Sequence, residues 1–293
     1  EQEALVLSQS LGEVQPALYR ISGDGTNEER VDGEYRDIVY DIGGVNVAFV
    51  RDVEYVDSET EDVSTFPELF IAPADDLGNV TQITELRSTL LASPSFSPEG
   101  GELVFVSNFN GSPDIWYTTI TGEGQRRLTE NGEFIDTDPA WRPVLTSREI
   151  VFVTDQNTPG RTKLSRLYVV GPDEPVEVEQ LSRTGGEDSD PAWSDLGDVI
   201  AYISTTRGDA DLYITDDQPG GGLLLTVSDD GAEDRAPDFT PDGRFIAFVS
   251  NRLDDRFQTY VISLDGDVIT RVTESNRDDL LFIYRPDLLQ RLP

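Results

Sequence analysis

The sequence contains no cysteine, no histidine and no methionine. Without cysteine the chain has neither disulfide bonds nor thiolate chemistry. Without histidine and cysteine it cannot form the usual zinc sites, a Ser-His-Asp triad or a Cys-His nucleophile. These absences exclude the commonest hydrolase and metalloenzyme chemistries from the residues of this chain.

Positive charge is also scarce. The chain has 22 basic residues against 57 acidic ones, for a formal net charge of -35, and Lys163 is its only lysine. A field of that sign repels phosphates, so we expect neither a nucleic acid partner nor direct insertion into a membrane. Basic peptides and divalent cations are the partners it would attract. A charged surface that serves only solubility is the alternative.

Long apolar runs are missing as well, because no window reaches the roughly 18 apolar residues that a membrane helix needs. The chain opens on EQEALVLSQS, without a methionine and without the basic and apolar regions of a signal peptide. We therefore interpret it as a processed product or as part of a longer protein.

The sequence is rich in repetition. Four segments align with one another: SPSFSPEGGELVFVSN, DPAWRPVLTSREIVFVTD, DPAWSDLGDVIAYIST and APDFTPDGRFIAFVSN. Their anchoring aromatic residues are Phe96, Trp141, Trp193 and Phe239, and Tyr40 and Tyr284 extend the series at its two ends. The anchors recur at roughly 45 to 56 residues, a period that indicates a repeat architecture.

Each anchor is followed by short apolar runs that are rich in Val, Ile, Phe and Tyr and are separated by Gly, Asp and Asn. Such runs and turns predict strands rather than helices, so the chain is predicted to be all-β. The last run of each repeat ends in a hydroxyl residue: Thr84, Thr129, Ser182, Thr226 and Thr273.

Four short strands per repeat match the blade of a β-propeller. We predict a single domain, residues 1–293, folded as a six-bladed β-propeller of four-stranded antiparallel blades. The first repeat lacks a leading strand and the C-terminus has a spare one, so we expect the N- and C-terminal strands to pair and close the ring. The predicted blades are 278–293 with 1–34, then 35–85, 90–131, 136–183, 187–227 and 233–274.

Two stretches show the repeat most completely: PDFTPDGRFIAFVSNR (237–252) and DIWYTTITGEGQRRLT (114–129). They resemble the WD-like, Pro-Asp repeat of the TolB-like β-propeller family, whereas the acidic stretch DVEYVDSETEDVSTFPE (52–68) departs from that pattern. Since TolB is a periplasmic propeller in a protein assembly, the resemblance implies a protein-binding role in the periplasm or at the cell surface. Related peptidases use a similar propeller as a lid on a separate hydrolase domain.

Carboxylates precede the anchors at two positions. Five residues before an anchor stand Asp136, Asp188, Asp234 and Asp279, and three residues before one stand Asp138 and Asp190. If the first strand is innermost, these residues form a carboxylate-lined channel mouth, which would favour Ca²⁺ or a Lys or Arg side chain. The alternative is that an aspartate before proline starts the strand by accepting backbone hydrogen bonds. The sequence has no contiguous calcium-binding loop.

The loops between the second and third strands should share the face of these aspartates. Loops of unequal length on one rim often determine partner specificity. The arginines of these loops would give the rim small patches of positive charge. They are Arg161, Arg166, Arg207, Arg252 and Arg256.

These patterns predict a non-enzymatic binding or scaffolding propeller that engages a protein or peptide through its acidic channel-mouth face. We expect no catalytic residue and no cofactor, with Ca²⁺ at the six aspartates as the one candidate ion. Two alternatives stay open at this point. One is an accessory propeller domain of a larger hydrolase or surface receptor; the other is a carbohydrate-active enzyme that works through paired carboxylates.

Overall fold

The computed structural model describes residues 3–10, 17–22, 26–30, 38–43, 45–74, 76, 78–130, 132, 134–156, 158, 160–168, 177–183, 185–220, 222–226, 231–253, 256–274 and 277–283. Within these ranges the regular structure consists of 24 strands, with no helix. The all-β prediction is therefore confirmed. Over the same residues, no helix exists that could cross a membrane.

The strands are numbered in chain order. The first seven are β1 (Glu3–Ser10), β2 (Ala17–Ser22), β3 (Glu29–Arg30), β4 (Ile38–Gly43), β5 (Asn46–Val56), β6 (Val63–Pro73) and β7 (Thr81–Gln82). The next eight are β8 (Leu91–Phe96), β9 (Glu102–Ser107), β10 (Asp114–Thr119), β11 (Arg126–Arg127), β12 (Asp136–Trp141), β13 (Glu149–Thr154), β14 (Lys163–Tyr168) and β15 (Glu179–Gln180). The last nine are β16 (Asp188–Trp193), β17 (Val199–Ser204), β18 (Asp211–Asp216), β19 (Leu223–Leu224), β20 (Asp234–Phe239), β21 (Phe245–Ser250), β22 (Gln258–Ser263), β23 (Ile269–Arg271) and β24 (Arg277–Ile283).

These strands pair into six antiparallel sheets of four strands. We call them sheet 1 (β24, β1, β2, β3), sheet 2 (β4 to β7), sheet 3 (β8 to β11), sheet 4 (β12 to β15), sheet 5 (β16 to β19) and sheet 6 (β20 to β23). In sheet 1, β24 pairs with β1, and Ser8 lies opposite Asp279. Strands from the two ends of the chain therefore share one sheet.

The first strands of successive sheets lie side by side. β4 contacts β8, β8 contacts β12, β12 contacts β16, β16 contacts β20, and β20 contacts β24. Sheets that follow one another through their first strands are the arrangement that a propeller requires around its axis. The first strands are thus the elements through which successive sheets adjoin.

The core lies between neighbouring sheets. One cluster joins Leu69 and Ile71 of sheet 2 to Phe96 and Phe105 of sheet 3, and similar clusters join sheets 3 and 4, 4 and 5, and 5 and 6. Each anchor aromatic belongs to the cluster that its own sheet shares with the preceding sheet. Large rings fill these spaces because each sheet must bury both of its faces. The anchors concerned are Phe96, Trp141, Trp193 and Phe239.

The anchor of sheet 2 differs from the one expected from the sequence. Ile42 lies opposite Val47, as Phe96 lies opposite Leu103 in sheet 3. The counterpart of the anchors is therefore Ile42, and the choice of Tyr40 was wrong by two positions. A search for an aromatic residue misses this repeat because an aliphatic residue occupies the anchor position. The other terminal anchor, Tyr284, lies outside the described residues.

Gly43 ends β4 directly against the ring of Phe96, and its replacement by alanine tests that contact. A Cβ at Gly43 would lie 2.2 Å from Cγ of Phe96, so the ring or β4 must move. Overpacking of this kind costs about 1–3 kcal/mol. We expect a loss of that size in the free energy of unfolding, measured by urea denaturation.

Gly101→Ala is the matched control, because a Cβ there would meet no atom within 4 Å. If Gly43→Ala were as stable as this control, the close packing of β4 against β8 would be contradicted.

Candidate functional site

The structure divides the six predicted site residues into two groups. The first group is fully buried, with at most 1 % of each residue exposed: Asp136, Asp188, Asp234 and Asp279. The second group, Asp138 and Asp190, is only partly buried and lies two residues further along β12 and β16. The two groups have different partners.

The buried aspartates lie where one sheet meets the first strand of the next, a place that we call a joint. Asp279 shows the pattern: its Oδ2 accepts hydrogen bonds from the N–H of Thr259 at 3.0 Å, from the hydroxyl of Thr259 at 2.8 Å and from that of Thr273 at 2.5 Å. The equivalent donors are the Leu164 N–H and the Ser182 hydroxyl for Asp188, and the Thr226 hydroxyl and the Arg252 guanidinium for Asp234. These carboxylates fasten one sheet to the next.

The hydroxyl residue at the end of each repeat is part of the same joint. In five sheets its oxygen also accepts a hydrogen bond from a backbone N–H near the start of the third strand. The pairs are Thr84 with Leu69, Thr129 with Ile115, Ser182 with Leu164, Thr226 with Leu212, and Thr273 with Thr259. A hydroxyl can accept and donate hydrogen bonds at once, so it connects the backbone N–H to the carboxylate, as Thr273 connects Thr259 to Asp279.

One joint uses a different carboxylate. β8 begins with Leu91 where β12, β16 and β20 begin with aspartate. There Glu68 of β6, fully buried, accepts hydrogen bonds from the Thr84 hydroxyl at 2.6 Å and from the N–H groups of Leu86 and Arg87. Sequence reasoning missed Glu68 because it ends the acidic stretch 52–68. The missing aspartate at Leu91 was the signal that could have found it.

The alternative interpretation of the buried aspartates, acceptance of backbone hydrogen bonds, is confirmed for Asp188 and Asp279. Their side chains lie inside the joints, where the protein already supplies donors. Ligand binding by the buried group stays a prediction, and no contact in the described residues supports it.

Asp138 and Asp190 have an unusual backbone. Both have positive φ, 51° and 49°, as do their counterparts Ser93 and Ala236 at 48°. The register of each first strand shifts at this point, so the residue lies in a β-bulge. Aspartate tolerates the left-handed conformation better than most residues do. The bulge takes these side chains out of the regular alternation of the strand.

The bulge residues link consecutive first strands. The Ser93 hydroxyl lies 3.5 Å from Oδ1 of Asp138, Asp138 accepts from the N–H of Asp190, and Asp190 Oδ2 accepts from the N–H of Ala236 at 3.1 Å. Two carboxylates therefore lie side by side on the innermost strands of sheets 4 and 5.

The charges of this pair oppose one another. Burial and, next, the neighbouring Asp190 carboxylate raise the pKa of Asp138 to about 6, against hydrogen bonds that lower it. Burial also raises the pKa of Asp190, against the Ala236 N–H and the Arg235 charge, which lower it. A positive charge beside the pair would stabilise its ionised form.

The face of the first-strand starts also carries the loops between second and third strands, as expected. Asp155, Thr205 and Asn251, which follow second strands, donate backbone hydrogen bonds to residues just before β12, β16 and β20. Phe109 and Leu253 in these loops are about half exposed. This rim therefore combines apolar side chains with acidic ones.

The arginines expected on the rim behave differently from one another. Arg166 lies within β14, where it pairs with Glu149 and Glu179, because the third strand already begins at Lys163. Placing Arg166 in a rim loop was therefore wrong. Arg252 does lie in such a loop, and it pairs with Asp234 at 2.7 Å.

A metal centre finds no support in the described residues. They hold no group of three or more acidic, histidine or cysteine side chains that could bind a metal ion. Ca²⁺ at the six aspartates thus stays a prediction without a donor set to support it.

Asp279→Asn tests the structural role of the joints. The asparagine amide keeps the shape of the side chain but removes the negative charge. The carboxylate of Asp279 accepts three hydrogen bonds, and hydrogen bonds to charged groups contribute about 1.5–3 kcal/mol. We expect a loss of about that size in the free energy of unfolding at neutral pH. Asp267→Asn, at an exposed position, should change it by less than about 0.5 kcal/mol. Equal effects of the two variants would contradict the role of Asp279 in fastening sheet 6 to β24.

Comparison with curated proteins finds similarity to TolB proteins. The chain is 32% identical over 165 residues to a protein TolB homolog of Chlorobium luteolum, covering 56% of this chain and 35% of the relative. It is 24% identical over 207 residues to the Tol-Pal system protein TolB of Francisella tularensis, covering 70% of this chain and 45% of that protein. The chain thus spans less than half the length of these relatives.

Solved structures share the fold. TolB from Acinetobacter baumannii superposes with a TM-score of 0.75 at 19% identity, covering 97% of this chain and 67% of that one. A puromycin-hydrolyzing peptidase of Mycobacterium tuberculosis superposes with a TM-score of 0.64 at 14% identity, covering 94% of this chain and 45% of the peptidase. At these identities the likeness concerns the fold alone.

The family model of the TolB beta propeller domain matches residues 40–233, which is more than half of the chain. The match includes the bulge pair Asp138 and Asp190 and the joints that contain Asp136 and Asp188, and it confirms the resemblance found in the repeats. The chain belongs to the TolB beta propeller domain family.

Proposed function

We propose that this chain is a non-enzymatic protein-binding propeller whose channel pair, Asp138 and Asp190, receives a basic side chain of a partner. The observation that carries the proposal is the placement of two mutually repelling carboxylates on adjacent innermost strands. The family membership and the TolB relatives support a binding role in the envelope, in the periplasm, rather than catalysis.

The proposal includes the shape of the binding face. We take the six sheets as six blades that close into a ring, with sheet 1 as the closing blade. The pairing of β24 with β1 and the contact of β20 with β24 support this. The first-strand starts and the second loops would then surround one opening of the channel. Phe109 and Leu253 on this rim offer apolar contacts around the acidic centre.

A guanidinium or ammonium group suits the channel pair better than a metal ion does. Two carboxylates are enough to bind a guanidinium through paired hydrogen bonds. Ca²⁺ takes about 6–8 oxygen ligands, and the described residues offer no group of three or more acids for it. The acidic surface would also draw a basic segment toward the opening.

The peptidase structures favour a second candidate, an accessory propeller domain of a larger hydrolase. This chain has no histidine, so a Ser-His-Asp triad would have to be provided by residues outside it. In that case too the propeller contributes binding and access rather than chemistry.

Replacement of the channel pair tests the proposal. We would titrate the blocked peptide Gly-Arg-Gly-Arg-Gly into the wild type and into Asp138→Asn/Asp190→Asn by calorimetry, at about 0.15 M salt to screen the general field. The double variant should bind at least about tenfold more weakly, because charge-assisted hydrogen bonds are lost. Glu99→Gln/Asp267→Asn removes the same charge from exposed positions, and it should bind as the wild type does. An equal loss in both double variants would overturn the channel site in favour of a diffuse charge effect.

The pH dependence gives an independent check. Since the pKa of Asp138 is raised to about 6, acidification from about pH 7.5 to about pH 5 protonates Asp138 and should weaken peptide binding by the wild type. Binding by Glu99→Gln/Asp267→Asn should show the same weakening, whereas the residual binding of Asp138→Asn/Asp190→Asn should not. Wild-type affinity that stays constant over this range would contradict the proposed site.

A further inference from the structure

In sheets 3 to 6 the third strand begins with a polar residue that is buried at the joint, and in sheet 2 Glu68, inside β6, is the buried polar residue nearest the joint. These residues are Glu68 near the joint of sheets 2 and 3, then Asp114, Lys163, Asp211 and Gln258 at the following joints. Their charges differ although their places are equivalent. The joint of sheets 4 and 5 has a lysine there, whereas the joint of sheets 3 and 4 has Asp114 facing a second buried acid, Asp136.

Asp114 lacks the donors that a buried carboxylate needs. Its Oδ2 accepts one hydrogen bond, from Nη1 of Arg127 at 3.1 Å, and its Oδ1 accepts none from the described residues. The side chain has no exposed surface, so bulk water does not take the place of a donor. A buried ionised oxygen without a partner is costly, whereas a protonated carboxyl can itself donate.

The charged groups around Asp114 are two acids and one base. Arg127 comes from β11, Asp136 begins β12, and Glu130 follows β11. The residue opposite Asp114 on β9 is the uncharged Ser107. In the described part of the chain, Asp114 thus has one guanidinium partner, with a second fully buried carboxylate and an exposed one acting against its charge.

We propose that Asp114 and Asp136 share one proton in the closed joint, and that loss of this proton makes the joint of sheets 3 and 4 a pH-responsive element that loosens as the pH rises. The joint would be tightest in mildly acidic solution. Lys163 and Gln258 stand in the place of Asp114 at two other joints, so those joints should not respond in the same way. At the joint of sheets 5 and 6, Arg252 pairs with Asp234 at 2.7 Å.

The direction follows from proton binding. Burial raises the pKa of Asp114 to about 6, against the hydrogen bond and charge of Arg127, which lower it, whereas in the unfolded chain it lies near the ordinary value of about 3.9. Between these values the folded chain binds more protons than the unfolded chain. The free energy of unfolding therefore falls as the pH rises through this window, and the loss is complete above it.

Asp114→Asn removes the titrating group and tests the proposal by urea denaturation between about pH 5 and about pH 8. We compare the folding equilibrium constant of the variant with that of the wild type. The ratio of variant to wild type should rise roughly tenfold between these pH values, which is the change that the folded and unfolded pKa values of Asp114 give. Glu123→Gln, an exposed change in the same sheet, should leave its ratio to the wild type constant. A ratio for Asp114→Asn that is flat or falls with pH would overturn the proposal.

A second measurement does not depend on the folding of Asp114→Asn. The side-chain carbon of Asp114 in the wild type, followed by NMR, should titrate with a midpoint near 6, and Asp136→Asn should lower that midpoint because a like charge is removed. A midpoint near 4 in the wild type, or no change in Asp136→Asn, would overturn the shared proton.

Amide exchange gives the local readout. The N–H of Asp136 donates to the Pro113 carbonyl across the joint, and the N–H of Ile115 donates to Thr129 beside it, within sheet 3. Their protection relative to the N–H groups of Leu164 and Asp188 at the next joint should fall between about pH 6 and about pH 8, after correction for intrinsic exchange. Equal protection at both joints throughout would count against loosening.

Discussion

The buried carboxylate at each joint is the interaction on which the arrangement of the sheets depends. Each sheet buries the start of its third strand against the next sheet, and there a backbone N–H, a hydroxyl and a carboxylate form one hydrogen-bonded chain, as at Thr259, Thr273 and Asp279. Without the carboxylate those donors would be buried and unsatisfied. Apolar packing alone could bring two sheets together, but hydrogen bonds are directional, so this polar chain favours one arrangement of the donors and the carboxylate.

The same first strands hold two kinds of carboxylate. In β16, Asp188 lies in the joint, while Asp190, two residues later, lies in the bulge and faces its counterpart on the neighbouring strand. In a regular strand, residues two apart share one face. The positive φ of the bulge separates them, so one short segment can place one carboxylate in the joint and another beside the neighbouring first strand.

Much of the fold could be predicted from the sequence, because the same pattern of strands and turns occurs several times along the chain. The anchors Trp141 and Trp193 and the hydroxyls of the fourth strands recur with their turns, and a recurring residue reveals a shared environment. The sites were harder to predict. The aspartates of the joints and those of the bulges look alike in sequence, and only backbone conformation distinguishes Asp136 from Asp138. At one joint the carboxylate comes from Glu68 of β6 rather than from an aspartate at the start of β8. A pattern read along the chain does not show that two residues from different strands occupy equivalent positions.

The burial of Lys163, the only lysine, leaves the folded surface without a side-chain amine. Arginine provides the remaining positive charge, and amine-reactive reagents do not modify guanidinium groups. Apart from a chain terminus, acylation of this protein would therefore require opening of the joint of sheets 4 and 5. The rate at which Lys163 is acylated in the native protein would therefore measure how often sheets 4 and 5 separate transiently.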